Sequence, residues 1–270
     1  MNTQLPIGVF DSGVGGLTVV KEIMNQLPDE TIIYFGDTAR VPYGNKSQET
    51  IVKYSRQIAQ FLLKERVKAI VIACNTASAF ALETLQKECP VPVLGVVKPG
   101  ARAAAEVSEN GRIGVIGTEG TVRSGLYGTY IREIRPEVSV YGKACPLFVP
   151  LVEEGLCEDE VTLLMAKRYL QPLLAESVDT IVLGCTHYPL LRGVVAQVAG
   201  PEVTLVNPAF ETAKDLRELL TEKGLLARKD RTPEHRFYVS DGAEQFRAFA
   251  NSILPCEMIE TDAVNVKVFA

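Results

Sequence analysis

Two cysteines end matching apolar segments, and their placement makes them the residues of this chain best suited to chemistry. Cys74 follows the run IVIA and precedes Asn-Thr, while Cys185 follows TIVLG and precedes Thr-His. Each run predicts a buried strand of a parallel sheet, and α/β folds bind their ligands at the carboxyl ends of such strands. Two thiols that face one cleft from two similar halves would allow proton transfer on both faces of a single carbon.

The surroundings of the two thiols predict how each could become reactive. If a helix begins at Thr76 or Ala77, its unpaired N–H groups and its dipole favour an anion at Cys74. That position predicts a Cys74 pKa lowered from about 8.5 toward neutrality, and the same N–H groups could hold a substrate carboxylate. His187 could hydrogen-bond to the thiol of Cys185 or donate to the substrate. The alternative for either cysteine is a small buried structural residue.

The remaining cysteines and the second histidine predict no further site. None of the six cysteines forms a C-x-x-C pair, and no cluster has the roughly four ligands that zinc requires. In a reducing compartment we expect these thiols to be free and to serve as small apolar residues. His235 lies in the charged stretch RKDRTPEHR and is predicted to be a solvated surface residue. The four remaining cysteines are Cys89, Cys145, Cys157 and Cys256.

Two glycine-rich segments follow predicted strands. DSGVGGLT begins with Asp11 and Ser12, which supply an acceptor and a hydroxyl, but it matches neither nucleotide-binding signature. GVIGTEGT has glycines three residues apart, which is a weak indication of dinucleotide binding. A turn that offers Thr118 and Thr121 to a ligand explains it equally well.

Two other segments, PYG and the pair of glutamates at 153 and 154, allow both a structural and a functional interpretation. PYG, which spans Pro42, Tyr43 and Gly44, is a turn by default, in which the tyrosine could close over a bound ligand. Glu153, beside Glu154, is by itself expected to be surface charge.

The composition is that of an ordinary globular protein. The chain has 270 residues, of which 47% are hydrophobic and 23% charged, with a net charge of −5. The acidic balance argues against nucleic acid or an anionic membrane as partner. No stretch approaches 18 uninterrupted apolar residues and the start has no signal-peptide pattern, so we expect a cytoplasmic protein that does not span a membrane.

Strand-like and helical segments alternate along the chain, which predicts an α/β fold with parallel sheets flanked by helices. The segments 97–100 and 206–208 are predicted to be extended, proline-marked crossings. They divide the chain into one α/β domain of residues 1–97 with 207–270 and a second of residues 98–206. Strands predicted at 237–240 and 258–260 would return to the first domain.

Together these motifs resemble the aspartate/glutamate racemase family along nearly the whole chain. The ordered set is GVFDSGVGGLTV, DTARVPYG, ACNTAS, GVIGT, LVEEG and GCTHYPLL. The resemblance implies two pseudo-symmetric α/β domains with the active site in the cleft between them. Asn207 departs from the acidic residue expected there. Carried over by position, the residues that would hold the amino acid are Asp11, Ser12, Pro42, Tyr43, Gly44, Asn75, Thr76, Thr186 and His187, to which the turn in GVIGTEGT adds Thr118 and Thr121 as candidates.

The resemblance also implies a reaction, the interconversion of L- and D-glutamate for peptidoglycan synthesis, without pyridoxal phosphate, metal or nucleotide. Cys74 would act on D-glutamate and Cys185 on L-glutamate, with Asp11, Glu153 and His187 as polar helpers. We expect a homodimer whose ligand is a small molecule. The alternatives are an aspartate racemase of the same family, a non-catalytic two-lobed amino-acid-binding protein, and a nicotinamide-dependent oxidoreductase built on GVIGTEGT.

Overall fold

Strands and helices alternate through the computed structural model, which describes residues 3–229, 232–255 and 261–269. Its strands are β1 (Ile7–Asp11), β2 (Ile32–Gly36), β3 (Ala69–Ile72), β4 (Val93–Gly95), β5 (Arg112–Gly117), β6 (Ser139–Ala144), β7 (Thr180–Gly184), β8 (Thr204–Val206), β9 (Arg236–Val239) and β10 (Thr261–Ala263). Its α-helices are α1 (Leu17–Gln26), α2 (Gln48–Lys64), α3 (Asn75–Glu88), α4 (Val97–Val107), α5 (Glu119–Ser124), α6 (Leu126–Ile134), α7 (Phe148–Glu153), α8 (Glu160–Ala175), α9 (Arg192–Ala199), α10 (Pro208–Glu222) and α11 (Ala243–Ile253).

The strands form two separate parallel sheets. The first has the order β10-β9-β2-β1-β3-β4, and the second has the order β6-β5-β7-β8. Every pairing in both sheets is parallel. The predicted fold class, α/β with helices flanking parallel sheets, is confirmed.

The central strands of each sheet are buried on both faces, which explains why they are continuous apolar runs. On β1, Val9 belongs to one hydrophobic cluster, and its neighbour Phe10 belongs to another on the opposite face. On β7, Val182 and Leu183 are divided in the same way between the two clusters of the second sheet. Successive side chains of a strand point to opposite faces of the sheet. Neighbouring residues must therefore both be apolar when helices cover both faces.

The first connection between the sheets runs through α4, which follows β4 directly. The prediction of an extended crossing at 97–100 is wrong, since these residues form the first turn of that helix. Pro99 is tolerated there because the first four N–H groups of a helix have no partner within it.

The return connection leaves β8 and enters α10. Asn207 has an extended backbone, with φ −100° and ψ 104°, and its Oδ1 accepts a hydrogen bond from the Ala209 N–H at 3.1 Å. The residue that departs from the family pattern is therefore the cap of this helix, and Pro208 occupies the first helical position, which suits proline.

The C-terminal region completes the first sheet. The strand predicted at 237–240 is β9, which pairs with β2, and β10 pairs with β9. The strand predicted at 258–260, like Cys256, lies outside the described residues. Sheet membership is compatible with a division into residues 1–97 with 207–270 and residues 98–206, which stays a prediction.

Candidate active site

Both cysteines singled out above lie at the carboxyl ends of central strands and line one cavity. Cys74 follows β3 in the first sheet, and Cys185 follows β7 in the second. Each thiol residue is 6% exposed, and the cavity between them has a volume of about 430 Å³. That volume suits a small polar molecule that is largely removed from water.

The helix predicted after Cys74 begins at Asn75, which makes the cysteine its cap. The Ala77 N–H donates to the Cys74 Sγ at 3.4 Å. Burial and, second to it, the nearby charge of Asp11 nevertheless raise the Cys74 pKa to about 12, although the Ala77 N–H and the Ser12 hydroxyl act in the opposite direction. The prediction of a lowered pKa is therefore wrong for the ligand-free protein, because desolvation outweighs the helix terminus.

Cys185 has different surroundings, since no α-helix begins beside it. Its carbonyl accepts from the Tyr188 N–H at 3.0 Å at the start of a short 3₁₀ turn, Tyr188–Leu191. Its Sγ lies 3.9 Å from Nδ1 of His187, whose Nε2 is 3.0 Å from Oε1 of Glu153. The three side chains form a continuous polar chain from the thiol to the edge of the cavity.

His187 is held in its charged form by its neighbours. Burial acts to lower its pKa, but hydrogen bonds with Cys185 and Glu153, together with the negative charge of Asp11, raise the pKa to about 10. A protonated imidazole beside Cys185 can stabilise a thiolate there and can hold a proton close to it.

Asp11 lies beneath the cavity, where its charge influences both thiol environments. It is fully buried, and its Oδ2 accepts from the Gly13 N–H at 2.9 Å, while the Thr186 hydroxyl is 3.5 Å from its Oδ1. Burial raises the pKa of Asp11, and the charge of His187 and nearby backbone N–H groups oppose that rise. Asp11 does not itself line the cavity.

Hydrogen bonds of threonine hydroxyl groups connect the segments of the two sheets at the cavity wall. The Thr76 hydroxyl lies 2.8 Å from that of Thr118 and 3.2 Å from that of Thr121. Thr118 lines the cavity and caps α5, whereas Thr121 stands behind it. On the other side, the Thr18 hydroxyl of α1 donates to the Thr186 carbonyl at 2.9 Å.

The PYG segment forms a fixed wall of the cavity. The Tyr43 hydroxyl donates to the carboxylate of Asp37, which is fully buried and also accepts from Arg40 Nε at 2.7 Å and from the Ser240 hydroxyl at 2.9 Å. Tyr43 is only 1% exposed, so the structure shows it as wall and not as a lid over the ligand. Asp37 is not among the site residues predicted above, although it stands in the motif DTARVPYG.

Most of the expected site residues share this one cavity. Glu153, expected from its position to be surface charge, is half-exposed and also lines it. The expected residues that line it are Cys74, Cys185, His187, Glu153, Ser12, Pro42, Tyr43, Gly44, Asn75, Thr76, Thr118 and Thr186. Asp11 and Thr121 stand directly behind the wall. The lining residues that sequence reasoning missed are Gly13, Val41, Asn45, Glu119, Pro146, Val149 and Pro150.

The second histidine is not the solvated residue that the sequence predicts. His235 is half-buried, and its Nδ1 accepts a hydrogen bond from the Ile32 N–H at 3.2 Å. Burial lowers the pKa of this side chain. It lies at the start of β2, at the opposite end of the strand from the cavity.

Within the described ranges, His, Cys, Asp and Glu side chains form no group of three or more that could hold a metal ion. In that same part of the chain, no helix has both the length and the apolar character needed to cross a bilayer.

Fold and site together define an α/β protein of two parallel sheets, with a thiol from each sheet in one shared cavity. A family model described as Asp/Glu/Hydantoin racemase matches residues 7–215. A glutamate racemase from Geobacter metallireducens is 55% identical over 248 residues, which cover 92% of each chain. The chain belongs to the Asp/Glu/Hydantoin racemase family.

Solved structures agree with this assignment over almost the full length. The crystal structure of a glutamate racemase isoform from Bacillus anthracis matches with a TM-score of 0.94 at 42% identity and covers 98% of both chains. That of glutamate racemase from Francisella tularensis in complex with D-glutamate has a TM-score of 0.92 at 40% identity and covers 98% of this chain and 99% of that one.

Proposed function

We propose that this protein is a cofactor-independent glutamate racemase that interconverts L- and D-glutamate with two cysteine bases. The observation that carries the proposal is the placement of Cys74 and Cys185 in one cavity, each at a strand end of a different parallel sheet. The relatives named glutamate racemase, one of them with D-glutamate bound, support glutamate as the substrate.

In the proposed reaction the two thiols work on opposite faces of the α-carbon. With D-glutamate, Cys74 as thiolate takes the α-proton, and the Cys185 thiol then delivers a proton from the other face, which yields L-glutamate. With L-glutamate the roles are exchanged. The carbanion between these steps has no cofactor to delocalise it, so preorganised donors and the exclusion of water must stabilise it.

Because the Cys74 pKa is high, the bound substrate must itself favour the thiolate form of this residue. A thiol whose pKa is about 12 is almost entirely protonated near neutral pH. The α-ammonium group of the substrate adds a positive charge to the buried cavity, and an opposite charge nearby favours the thiolate. We propose that the charge of Asp11 attracts this ammonium group from behind the cavity wall, and that the ammonium group in turn offsets the unfavourable effect of Asp11 on Cys74.

On the Cys185 side the protein supplies the positive charge. His187, protonated and linked to Glu153, would stabilise the Cys185 thiolate when L-glutamate binds. The donors proposed for the two substrate carboxylates are Ser12, Asn75, Thr76, Thr118 and Thr186, with Thr121 supporting Thr76 and Thr118 from behind and the segment Pro42, Tyr43 and Gly44 as wall.

A racemisation assay on dialysed, metal-stripped protein tests the reaction. L-Glutamate should lose its optical rotation, followed by circular dichroism, with no added cofactor. Activity that returns only with pyridoxal phosphate, zinc or NAD would contradict the proposal. Comparable kcat/KM values for aspartate would favour an aspartate racemase instead, and binding without turnover would favour an amino-acid-binding protein.

Single-cysteine variants test the two-base assignment. Cys74→Ser and Cys185→Ser should each abolish racemisation, because a serine hydroxyl is too weakly acidic to act as an anionic base. A substrate analogue with a leaving group at Cβ needs one deprotonation, so Cys185→Ser should still eliminate from the D-analogue and Cys74→Ser from the L-analogue. Cys89→Ser is the matched control, because Cys89 caps the other end of the helix that Cys74 begins. Near-normal racemisation by either active-site variant would refute the two-thiol mechanism.

The proposal also includes a role in supplying D-glutamate for peptidoglycan, a cytoplasmic location and a homodimeric assembly, with domains of residues 1–97 plus 207–270 and 98–206. Cell fractionation and analytical ultracentrifugation test the location and the assembly.

A further inference from the structure

One buried tyrosine touches both thiol-bearing segments. Tyr127 lies on α6, beside the second sheet, and is 3% exposed. Its hydroxyl donates to Oδ1 of Asn75 at 2.7 Å, and Asn75 directly follows Cys74. The hydrogen bond therefore connects the second half of the molecule with the start of the helix that Cys74 caps.

The ring of Tyr127 is confined by two glycines. A Cβ added at Gly184 would lie 3.3 Å from one edge of the ring, and a Cβ added at Gly100 would lie 3.3 Å from the other. Gly184 directly precedes Cys185. The ring thus packs against the segment before one thiol, while its hydroxyl bonds to the residue after the other, and the narrow space fixes the direction of that hydroxyl.

This contact determines which way the Asn75 amide points. Burial raises the pKa of Tyr127, so its hydroxyl keeps its proton and remains a donor. The donor occupies the carbonyl oxygen of Asn75, which leaves the amide nitrogen as the group available to the cavity that Asn75 lines. Among the described residues, Nδ2 of Asn75 has no hydrogen-bond partner. An N–H donor suits a carboxylate oxygen, whereas a flipped amide would oppose it with a carbonyl.

We infer that Tyr127 is a positioning residue, which holds the Asn75 amide nitrogen toward the substrate and sets the two thiol segments in register. The inference rests on the proposed racemase function, since it assigns Asn75 a contact with a carboxylate of the bound amino acid. Tyr127 itself does not touch the cavity.

Tyr127→Phe tests the inference because it keeps the ring between the two glycines and removes only the hydroxyl. We expect the KM for glutamate to rise by about 3- to 10-fold, which corresponds to the loss of one hydrogen bond, with kcat changed by less than about twofold. Tyr130→Phe is the matched control. Tyr130 lies one turn further on the same helix, and its ring makes a cation–π contact with Lys98 instead. Equal KM values for the two variants would refute the inference.

Two further measurements separate positioning from simple stabilisation. If Tyr127 acts through Asn75, Tyr127→Phe should add no further increase in KM once Asn75→Ala is present, whereas fully additive effects would contradict the inference. The Asn75 side-chain amide resonance of ¹⁵N-labelled, ligand-free protein should move in Tyr127→Phe and not in Tyr130→Phe. Because this readout needs no turnover, it tests the contact even if wild-type protein proves inactive on glutamate, an outcome that would refute the proposed function alone.

Discussion

Replacing Asp11 by asparagine should make Cys74 more reactive and the enzyme less active. Asn has the shape of Asp, so it fits the tight space beside Gly16, where an added Cβ would come within 2.4 Å of the Asp11 side chain. Its carbonyl oxygen can still accept the Gly13 N–H. The change therefore removes a negative charge and leaves the packing in place.

The sign and size of the effect on Cys74 follow from its surroundings. The Cys74 pKa is raised from 9.0 to about 12, first by burial and second by the charge of Asp11. Removing that charge favours the thiolate, so the pKa falls. The thiolate fraction near pH 8 therefore rises, about tenfold if the pKa falls by about one unit.

Alkylation kinetics measure this fraction directly. Ligand-free protein is treated with iodoacetamide at pH 8, and mass spectrometry follows the modification of each cysteine, with half-buried Cys89 and Cys157 as internal references. Cys74 should react about tenfold faster in Asp11→Asn than in wild type, since only the thiolate is the nucleophile. Racemisation should fall by about tenfold or more, because the buried negative charge that attracts the substrate ammonium group is lost.

The prediction is specific because alkylation of Cys74 should become faster while racemisation becomes slower. An unchanged or slower alkylation of Cys74 would show that Asp11 does not raise its pKa. Unimpaired racemisation would show that the charge of Asp11 does not attract the ammonium group.

Two more predictions concern His187. Glu153→Gln should lower the His187 pKa from about 10, because the variant removes a hydrogen-bonded carboxylate that favours the imidazolium; an NMR titration of the imidazole measures the shift, and an unchanged pKa would contradict the assigned contact. Gly15→Ala should lower kcat/KM by about a hundredfold through displacement of the imidazole, because the new Cβ would lie 2.4 Å from His187 Nδ1. Gly193→Ala, where an added Cβ has no neighbour within 4 Å, should leave activity unchanged, and equal activities of the two variants would refute the steric argument.

The features that the sequence predicts well are those encoded by neighbouring residues. Apolar runs that end in a polar residue identify the central strands, because helices on both faces require both sets of side chains to be apolar. The helix after Cys74 could be predicted since its start lies within a few residues of the thiol. The placement of each cysteine at the carboxyl edge of its own sheet follows from the shared direction of the parallel strands in that sheet.

Contacts between distant segments could not be read in this way. Asp37 is held by Ser240, and Asn75 by Tyr127, and neither partner is near in sequence. The Cys74 pKa could not be predicted from nearby residues either. The local sequence indicates the helix terminus, but it shows neither the depth of burial nor the charge of Asp11. His235 sits in a charged stretch, yet its ring bonds to the start of a strand two hundred residues earlier.

The pairing of β9 with β2 has a consequence for the order in which the protein can become active during synthesis. Until residues 236–239 have left the ribosome, β2 is an unpaired sheet edge, which is a hazard for aggregation. Ser240, which follows β9, then supplies a hydroxyl to the carboxylate that anchors the cavity wall. The second sheet, complete at Val206, has all its strands long before this happens. The segment that covers the free edge of β2 therefore also completes the cavity wall, so nascent chains that stop short of residues 236–240 carry both thiols but an incomplete site.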